Sequence, residues 1–513
     1  MNGAVSISET LVASGVEVCF ANPGTSEMHF VSAMDRTEGL RGILCLFEGV
    51  VTGAADGYGR MRDKPAATLL HLGPGLANGL ANLHNARRAS TSIVNIVGDH
   101  ATYHAQYDAP LASDIMGFAR PVSGWLFSST APQSAGADAA RAVQAARQAP
   151  GQIATLILPA DIAWSEGGEV ADPLPLLGPA PVSSSAVDRI AQALGRGKRS
   201  AILMRGPSLR RDGLEAAGRI AAKTGSRLLC DTFAPRITRG AGVVAVERIP
   251  YFAEQIVEFM KGVEVLILVG AKPPVSFFAY PGKPSWGTPE GCEILYLAQP
   301  HEDGTAALEA VADALHASKN APVAEYRRPD LPSGNFNAFT AGQIIARFLP
   351  VNAIISDEAA TSGAGAAKFT ANSHTHDHLS LTGGSIGQGL PLATGAAVAC
   401  PDRKVVCLHG DGGAMYTLQS LWTCARENLD VTVVIFANRS YAILNVELAR
   451  VGAGNPGPKA LAMLNIGNPT LDWVSLGKGM GVESTRAETN EQFAAQFEDV
   501  MKSRGPRLIE AVI

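Results

Sequence analysis

The chain has 513 residues, 46% hydrophobic and 17% charged, enough to bury several cores and, by length, about three domains. Its net charge of −5 argues against a polyanion-binding surface, so no nucleic-acid partner is expected. No uninterrupted apolar run reaches the roughly 20 residues of a membrane span, so no membrane partner is expected either.

Met1 to Glu9 lack a basic and apolar leader, which makes the cytoplasm the expected location. Seven scattered cysteines without a CxxC pair read as reduced thiols. Two proline-rich stretches, Glu166 to Ser185 and Ala317 to Asn335, divide the chain into blocks 1–165, 186–316 and 336–513. In each block short β-rich runs alternate with alanine-rich helical patterns. The runs are Ser92–Val97 and Ile153–Leu158, then Ala201–Met204 and Val265–Val269, then Lys404–Leu408 and Val431–Phe436. This alternation predicts an α/β chain of three doubly wound parallel-sheet domains, whose ligands collect beyond the carboxyl ends of the strands.

Several residues of the first block have the chemistry for a site at those strand ends. Glu48 lies inside the apolar run Leu44–Val51 and is expected to be desolvated. His71 ends the run Ala66–Leu70, just before Gly73-Pro74-Gly75; an imidazole there suits proton relay, with a capping or core histidine as the plain alternative. His100 and His104 follow the strand Ile93–Val97. Their spacing would suit zinc on a helix, but Ala101 stands where a metalloprotease has its glutamate, so a site rim or simple loop polarity is expected instead.

In the third block Gly410-Asp411-Gly412-Gly413 follows an apolar run, and Asn438 closes a second one 27 positions after Asp411, as in a βαβ unit. A glycine-rich turn lets backbone N–H groups approach a phosphate, and a carboxylate beside them can hold a divalent cation. Mg²⁺ prefers hard oxygen ligands. Asp411, Asn438 and the carbonyl of Ser440 supply them, leaving diphosphate and water to complete the shell.

Together these residues resemble the thiamine-diphosphate-dependent enzymes, in the group that contains acetolactate synthase, pyruvate oxidase and benzoylformate decarboxylase. The GDG turn and Asn438 are similar to the signature of their diphosphate-binding domain. The match to their pyrimidine domain rests on Asn22-Pro23-Gly24-Thr25, Glu48, Ala55-Asp56-Gly57-Tyr58-Gly59-Arg60, and Gly73-Pro74-Gly75 with Asn78 and Asn82. The resemblance covers nearly the whole chain and is weakest in the middle.

The resemblance implies thiamine diphosphate and Mg²⁺ as cofactors. Glu48 would favour the imino tautomer of the aminopyrimidine and so the C2 ylid, and His71 would relay protons as in benzoylformate decarboxylase. Thr25 matches that enzyme's substrate-binding serine, and His100 would stand at the site rim. Gly384 and Ile386 would hold the cofactor in its bent form, and Gly412, Gly413, Ser440 and Tyr441 would complete its binding set with the metal ligands Asp411, Asn438 and Ser440.

The chain also departs from the family pattern. Ala437 replaces a frequent first Asn, Ser440 a Gly, and Leu444 a glutamate used by pyruvate decarboxylase. Ser276-Phe277-Phe278-Ala279-Tyr280 lacks the second histidine of benzoylformate decarboxylase, and its aromatic rings could contact an apolar substrate. No arginine-containing flavin-binding stretch is recognisable, so FAD is expected to be absent. The sequence stops at Ile513 where many relatives continue into a covering tail, which predicts an open mouth admitting larger substrates.

The resulting expectation is a decarboxylase or carboligase of a 2-oxo acid, including acids with a bulky or aromatic group, working as a homodimer or homotetramer with sites at subunit interfaces. An acetolactate-synthase-like condensation of small 2-oxo acids and a noncatalytic scaffold are the alternatives.

Overall fold

The computed structural model describes residues 1–513. The first sheet contains β1 (Val18–Asn22), β2 (Arg41–Leu44), β3 (Ala66–Leu70), β4 (Ile93–Asp99), β5 (Trp125–Ser128) and β6 (Ile153–Pro159). These strands are parallel throughout, in the order β2-β1-β3-β4-β6-β5. A second sheet takes β7 (Ser200–Met204), β8 (Arg227–Cys230), β10 (Glu247–Arg248), β11 (Val265–Val269) and β12 (Glu293–Ala298) in the order β10-β8-β7-β11-β12; β9 (Ile237–Arg239) leaves it.

The third sheet holds β13 (Ala353–Glu358), β14 (His376–Ser380), β15 (Val405–Gly410), β16 (Val431–Ala437), β17 (Glu483–Ala487) and β18 (Arg507–Val512), all parallel. Strands buried on both faces need continuous apolar sequence, and Val265-Leu266-Ile267-Leu268-Val269 is fully buried for that reason. The expected three parallel sheets are therefore present.

One strand crosses between sheets. β9 comes from the middle block but pairs antiparallel with β14, His376 opposite Arg239 and His378 opposite Ile237, and so extends the edge of the third sheet. Its three residues, Ile237-Thr238-Arg239, are too few to carry a readable alternation pattern.

The first and third sheets are joined through helix Glu48–Arg62, which crosses helix Gly389–Ala399 at backbone distance. A Cβ on Gly57 would stand 2.1 Å from the Leu392 carbonyl oxygen, and one on Gly395 would stand 1.8 Å from that of Ala54, so both helices need glycine at the crossing. One hydrophobic cluster runs from Phe20 and Val50 through Leu390 and Leu392 to Val405 and Leu508.

Arg60 is tied into all three blocks. Its guanidinium pairs with buried Asp56 at 2.8 and 2.6 Å and donates to the carbonyls of Pro235 and Ser380 and to Thr382 Oγ1. Asp56 also accepts from Thr91 Oγ1 and Gln388 Nε2, so this buried charge is fully engaged.

Candidate active site

Glu48 is the first residue of its helix, directly after the extended Phe47, and this places its carboxyl at the end of the N-terminal sheet. It is 8% exposed, and Asn78 Nδ2 donates to its Oε2 at 3.1 Å. Asn82, one turn further along the same helix, donates to the Gly49 carbonyl at 2.7 Å and to the Gly387 carbonyl at 3.2 Å. Glu48 is thereby tied to the loop 383–389 of the third block. Asn85 strengthens the link, donating to the Ser385 carbonyl and accepting from the Ser385 N–H.

That loop is held from below by Glu358 at the end of β13. Its two carboxylate oxygens accept the N–H groups of Gly387 at 2.6 Å and Gly389 at 2.5 Å, an arrangement that fixes both turns. Gly384 and Gly387 adopt φ of +74° and +98°, conformations that favour glycine. Ile386, between them, is partly exposed and lies over the turn after β15: a Cβ on Gly413 would meet its Cγ2 at 3.1 Å. The structure thus brings Glu48, Ile386 and the GDGG turn into one neighbourhood.

β15 ends at Gly410, and Asp411-Gly412-Gly413 opens a short helical turn beyond it. Asp411 Oδ1 accepts from the Gly412 N–H at 2.9 Å and its Oδ2 from the Arg439 N–H at 2.7 Å, which ties the two strand ends together. Asn438 Oδ1 accepts from the Ser440 N–H at 3.0 Å. Tyr441 packs its ring on Gly412, where a Cβ would be 2.5 Å from the ring carbon.

Burial pushes the Asp411 carboxyl above its ordinary range, with the Arg439 and Gly412 N–H groups opposing that rise. A cation beside it would favour the ionised form. The donor set of one carboxylate, one amide oxygen and one main-chain carbonyl, next to glycines with open space at Gly410, fits Mg²⁺ on a diphosphate.

His71 caps the helix Leu72–Ala89 directly after β3. Its Nδ1–H donates to Glu27 Oε2 at 2.8 Å, and Ser26 Oγ stands 3.4 Å from the same nitrogen. Glu27 is buried, and it also accepts from the Gly24 N–H at 2.8 Å. Its other oxygen lies against Gly98 on β4, where a Cβ would be 1.8 Å away. Thr25 is exposed and has no side-chain hydrogen bond; Ser26 is the hydroxyl nearer to His71. His100 follows β4, on from the Gly98 that Glu27 touches, with its Nε2 buried and unpartnered and its ring 5.4 Å from that of the exposed His104. No group of three or more His, Cys, Asp and Glu side chains in the chain has a metal-site arrangement.

Glu27, Glu358 and Asn85 are functional candidates that sequence reasoning missed. Glu27 carried one signal, its place three residues after Gly24 at a helix start, where a carboxylate reaches back to the backbone. The other two act across more than 25 residues of sequence and had none.

The aromatic segment of the middle block reaches this loop. Phe277 stacks over Gly384, where a Cβ would be 2.5 Å from its ring tip. Behind it lie Phe233 at 5.7 Å, Tyr251 at 5.3 Å and Phe278 at 5.0 Å between ring centroids. Tyr280 donates to Glu447 Oε1 at 3.0 Å, which ties the segment to helix Ala442–Arg450.

Residues 1–118 match the family model of the thiamine pyrophosphate enzyme N-terminal TPP binding domain, and residues 359–511 match that of the C-terminal TPP binding domain. The chain belongs to the thiamine pyrophosphate enzymes.

Among relatives of this thiamine pyrophosphate enzyme, a Mycobacterium tuberculosis protein named "Putative acetolactate synthase large subunit IlvX" is 53% identical over 516 residues, covering 100% of this chain and 99% of that one. Benzoylformate decarboxylase of Pseudomonas aeruginosa is 27% identical over 532 residues, covering 98% and 97%. The fold is similar to that of the Rhodococcus jostii RHA1 thiamine diphosphate-dependent 4-hydroxybenzoylformate decarboxylase, with a TM-score of 0.84 at 22% identity over 99% and 98% of the two chains.

Proposed function

We propose that this enzyme uses thiamine diphosphate and Mg²⁺ to decarboxylate a 2-oxo acid bearing a bulky or aromatic group, releasing an aldehyde or joining the resulting fragment to a second carbonyl. The observation that carries the substrate class is the Phe277 ring lying on Gly384 with Phe233, Tyr251 and Phe278 behind it, an apolar wall at the loop assigned to the cofactor. Aromatic side chains bind a flat apolar group by area burial and edge-to-face contact.

When bound, thiamine diphosphate supplies a carbon nucleophile and a sink for the electron pair released with CO₂. Gly412, Gly413, Asn438, Ser440 and Tyr441 would hold its diphosphate end, with Asp411, Asn438 and the Ser440 carbonyl on Mg²⁺. Gly384 and Ile386 would hold the ring end. Glu48, buried and reached by Asn78, is the carboxyl that would share a proton with the aminopyrimidine. His71 donates its Nδ1–H to Glu27, so Nε2 is the nitrogen that takes and returns a proton, and the Glu27 carboxylate stabilises the imidazolium while it exists. Ser26 lies beside that imidazole, and it would contact the polar end of the substrate together with Thr25 and His100. A dimer or tetramer, usual for this family, would enclose the cleft further.

A second reading, acetolactate-synthase-like condensation of small 2-oxo acids, is favoured by the 53% identity to the mycobacterial relative of that name. CO₂ release by protein reconstituted with thiamine diphosphate and Mg²⁺, across a panel from pyruvate to benzoylformate with product identification, separates them. Aldehyde or carboligation product from the aromatic acids supports the first reading, acetolactate from pyruvate supports the second, and no CO₂ from any acid contradicts both.

A further inference from the structure

A cavity of about 330 Å³ lies away from the cofactor loop, between the middle block and the third sheet, within the range of small-molecule sites. Ile237, Val243 and Val246 form one wall, Ala364 and Ala367 of the helix Ala364–Phe369 with Ala371 of the turn after it form the facing one, and His378 and Ser380 on β14 close the base. Three cations line it: Arg239, Arg248 and Lys368. None of them forms an ion pair in this chain. Arg239 Nη2 donates to the Ala367 carbonyl at 2.8 Å, and Lys368 rests on the Phe339 ring.

His378 is 2% exposed, yet its Nδ1 has no hydrogen-bond partner. Its Nε2 stands 3.5 Å from Asp357 Oδ2, beyond a well-formed hydrogen bond. No carboxylate lines the cavity, and Asp357 is the acid beside its buried imidazole. Burial and the neighbouring Arg248 pull the Arg239 guanidinium down to about 10, and Asp357 opposes that fall only in part. A half-buried guanidinium without an ion pair and an orphaned buried ring nitrogen both cost free energy, and a ligand that brings negative charge and an acceptor oxygen relieves both.

We propose that this cavity binds a small organic anion, its carboxylate or phosphate head held by Arg239, Arg248, Lys368 and the His378 N–H, and its short apolar body held between the alanine and valine walls. Guanidinium groups suit either head, because their fork of donors matches two oxygens at once. None of its lining residues belongs to the proposed thiamine diphosphate set, although Asp357 adjoins Glu358, which holds the loop 383–389.

Isothermal titration of the holoenzyme, with thiamine diphosphate and Mg²⁺ already saturating the cofactor site, tests this with butanoate, butyl phosphate and inorganic phosphate. One-site saturable binding of butanoate, butyl phosphate or both is expected, and which of them binds tells a carboxylate head from a phosphate head. Affinity should fall at least tenfold in the Arg248→Gln/Lys368→Met double variant, which removes two exposed cations and leaves the core intact, and in Ala371→Phe, which fills the cavity while keeping the charges. Circular dichroism confirms that both variants are folded. Absence of saturable binding by the unmodified enzyme, affinity in either variant unchanged from the unmodified enzyme, or inorganic phosphate binding as tightly as the organic anions would overturn the proposal.

Discussion

The Nδ1–H of His71 donates to Glu27 Oε2 at 2.8 Å, and the same carboxylate oxygen accepts the N–H of Gly24. A buried carboxylate thus fixes the tautomer and orientation of the histidine proposed to move protons, as second partners do for catalytic imidazoles generally. Glu27→Gln keeps the size but loses the charge. We expect kcat to fall by about tenfold to a hundredfold. If Glu27 acts through His71, the double variant with His71→Ala costs no more than His71→Ala alone, whereas independent roles give additive losses.

Glu48 has one hydrogen-bond partner, Asn78, and an otherwise desolvated carboxyl, a poor arrangement for stability and a good one for sharing a proton with a bound ring. Glu48→Gln should lower turnover by about a hundredfold or more while leaving the melting temperature unchanged. Activity assay beside thermal unfolding checks this. Retained turnover would remove Glu48 from the mechanism, and a protein acting as a scaffold would keep its partner binding in the variant.

Arg60 joins the three blocks from a fully buried position. Arg60→Ala leaves Asp56 buried with only Thr91 and Gln388 as partners, and should destabilise the protein by about 3–5 kcal/mol in denaturant unfolding. A loss below about 1 kcal/mol would mean that water replaces the guanidinium.

His376 gives a pH dependence. It is buried, its Nδ1 is engaged by the His374 carbonyl, and burial together with the neighbouring Arg239 pushes its pKa down to about 3. In the unfolded chain it takes up a proton near pH 6.5. The stabilisation from keeping it neutral is therefore complete above pH 6.5 and is lost as pH falls toward 3, at about 1.4 kcal/mol per pH unit from this group. Unfolding free energies measured across that window should fall more steeply for the native sequence than for His376→Gln.

Much of this organisation was legible in the sequence because it depends on local chemistry. Buried parallel strands must be apolar throughout, so Val265–Val269 and Val431–Ala437 announce themselves, and the tight turn beyond β15 shows in the glycines that follow Asp411. What stayed hidden depends on distant partners. The pairing of β9 with β14, the grip of Glu358 on Gly387 and Gly389, and the contact of Phe277 with Gly384 arise only when the blocks fold together. Thr25 shows the limit of reading single positions: it carries the hydroxyl in the matched motif, while the neighbouring Ser26 stands nearer His71.

The central claim, a bulky 2-oxo acid decarboxylated against the Phe277 wall, is tested most directly by the ratio of kcat/KM for benzoylformate to that for pyruvate, measured as CO₂ release. We predict a ratio above about ten, since burying an aromatic group in an apolar pocket is worth more than the 1–3 kcal/mol of a single methylene. A ratio at or below one, with acetolactate as the product from pyruvate, would contradict the claim.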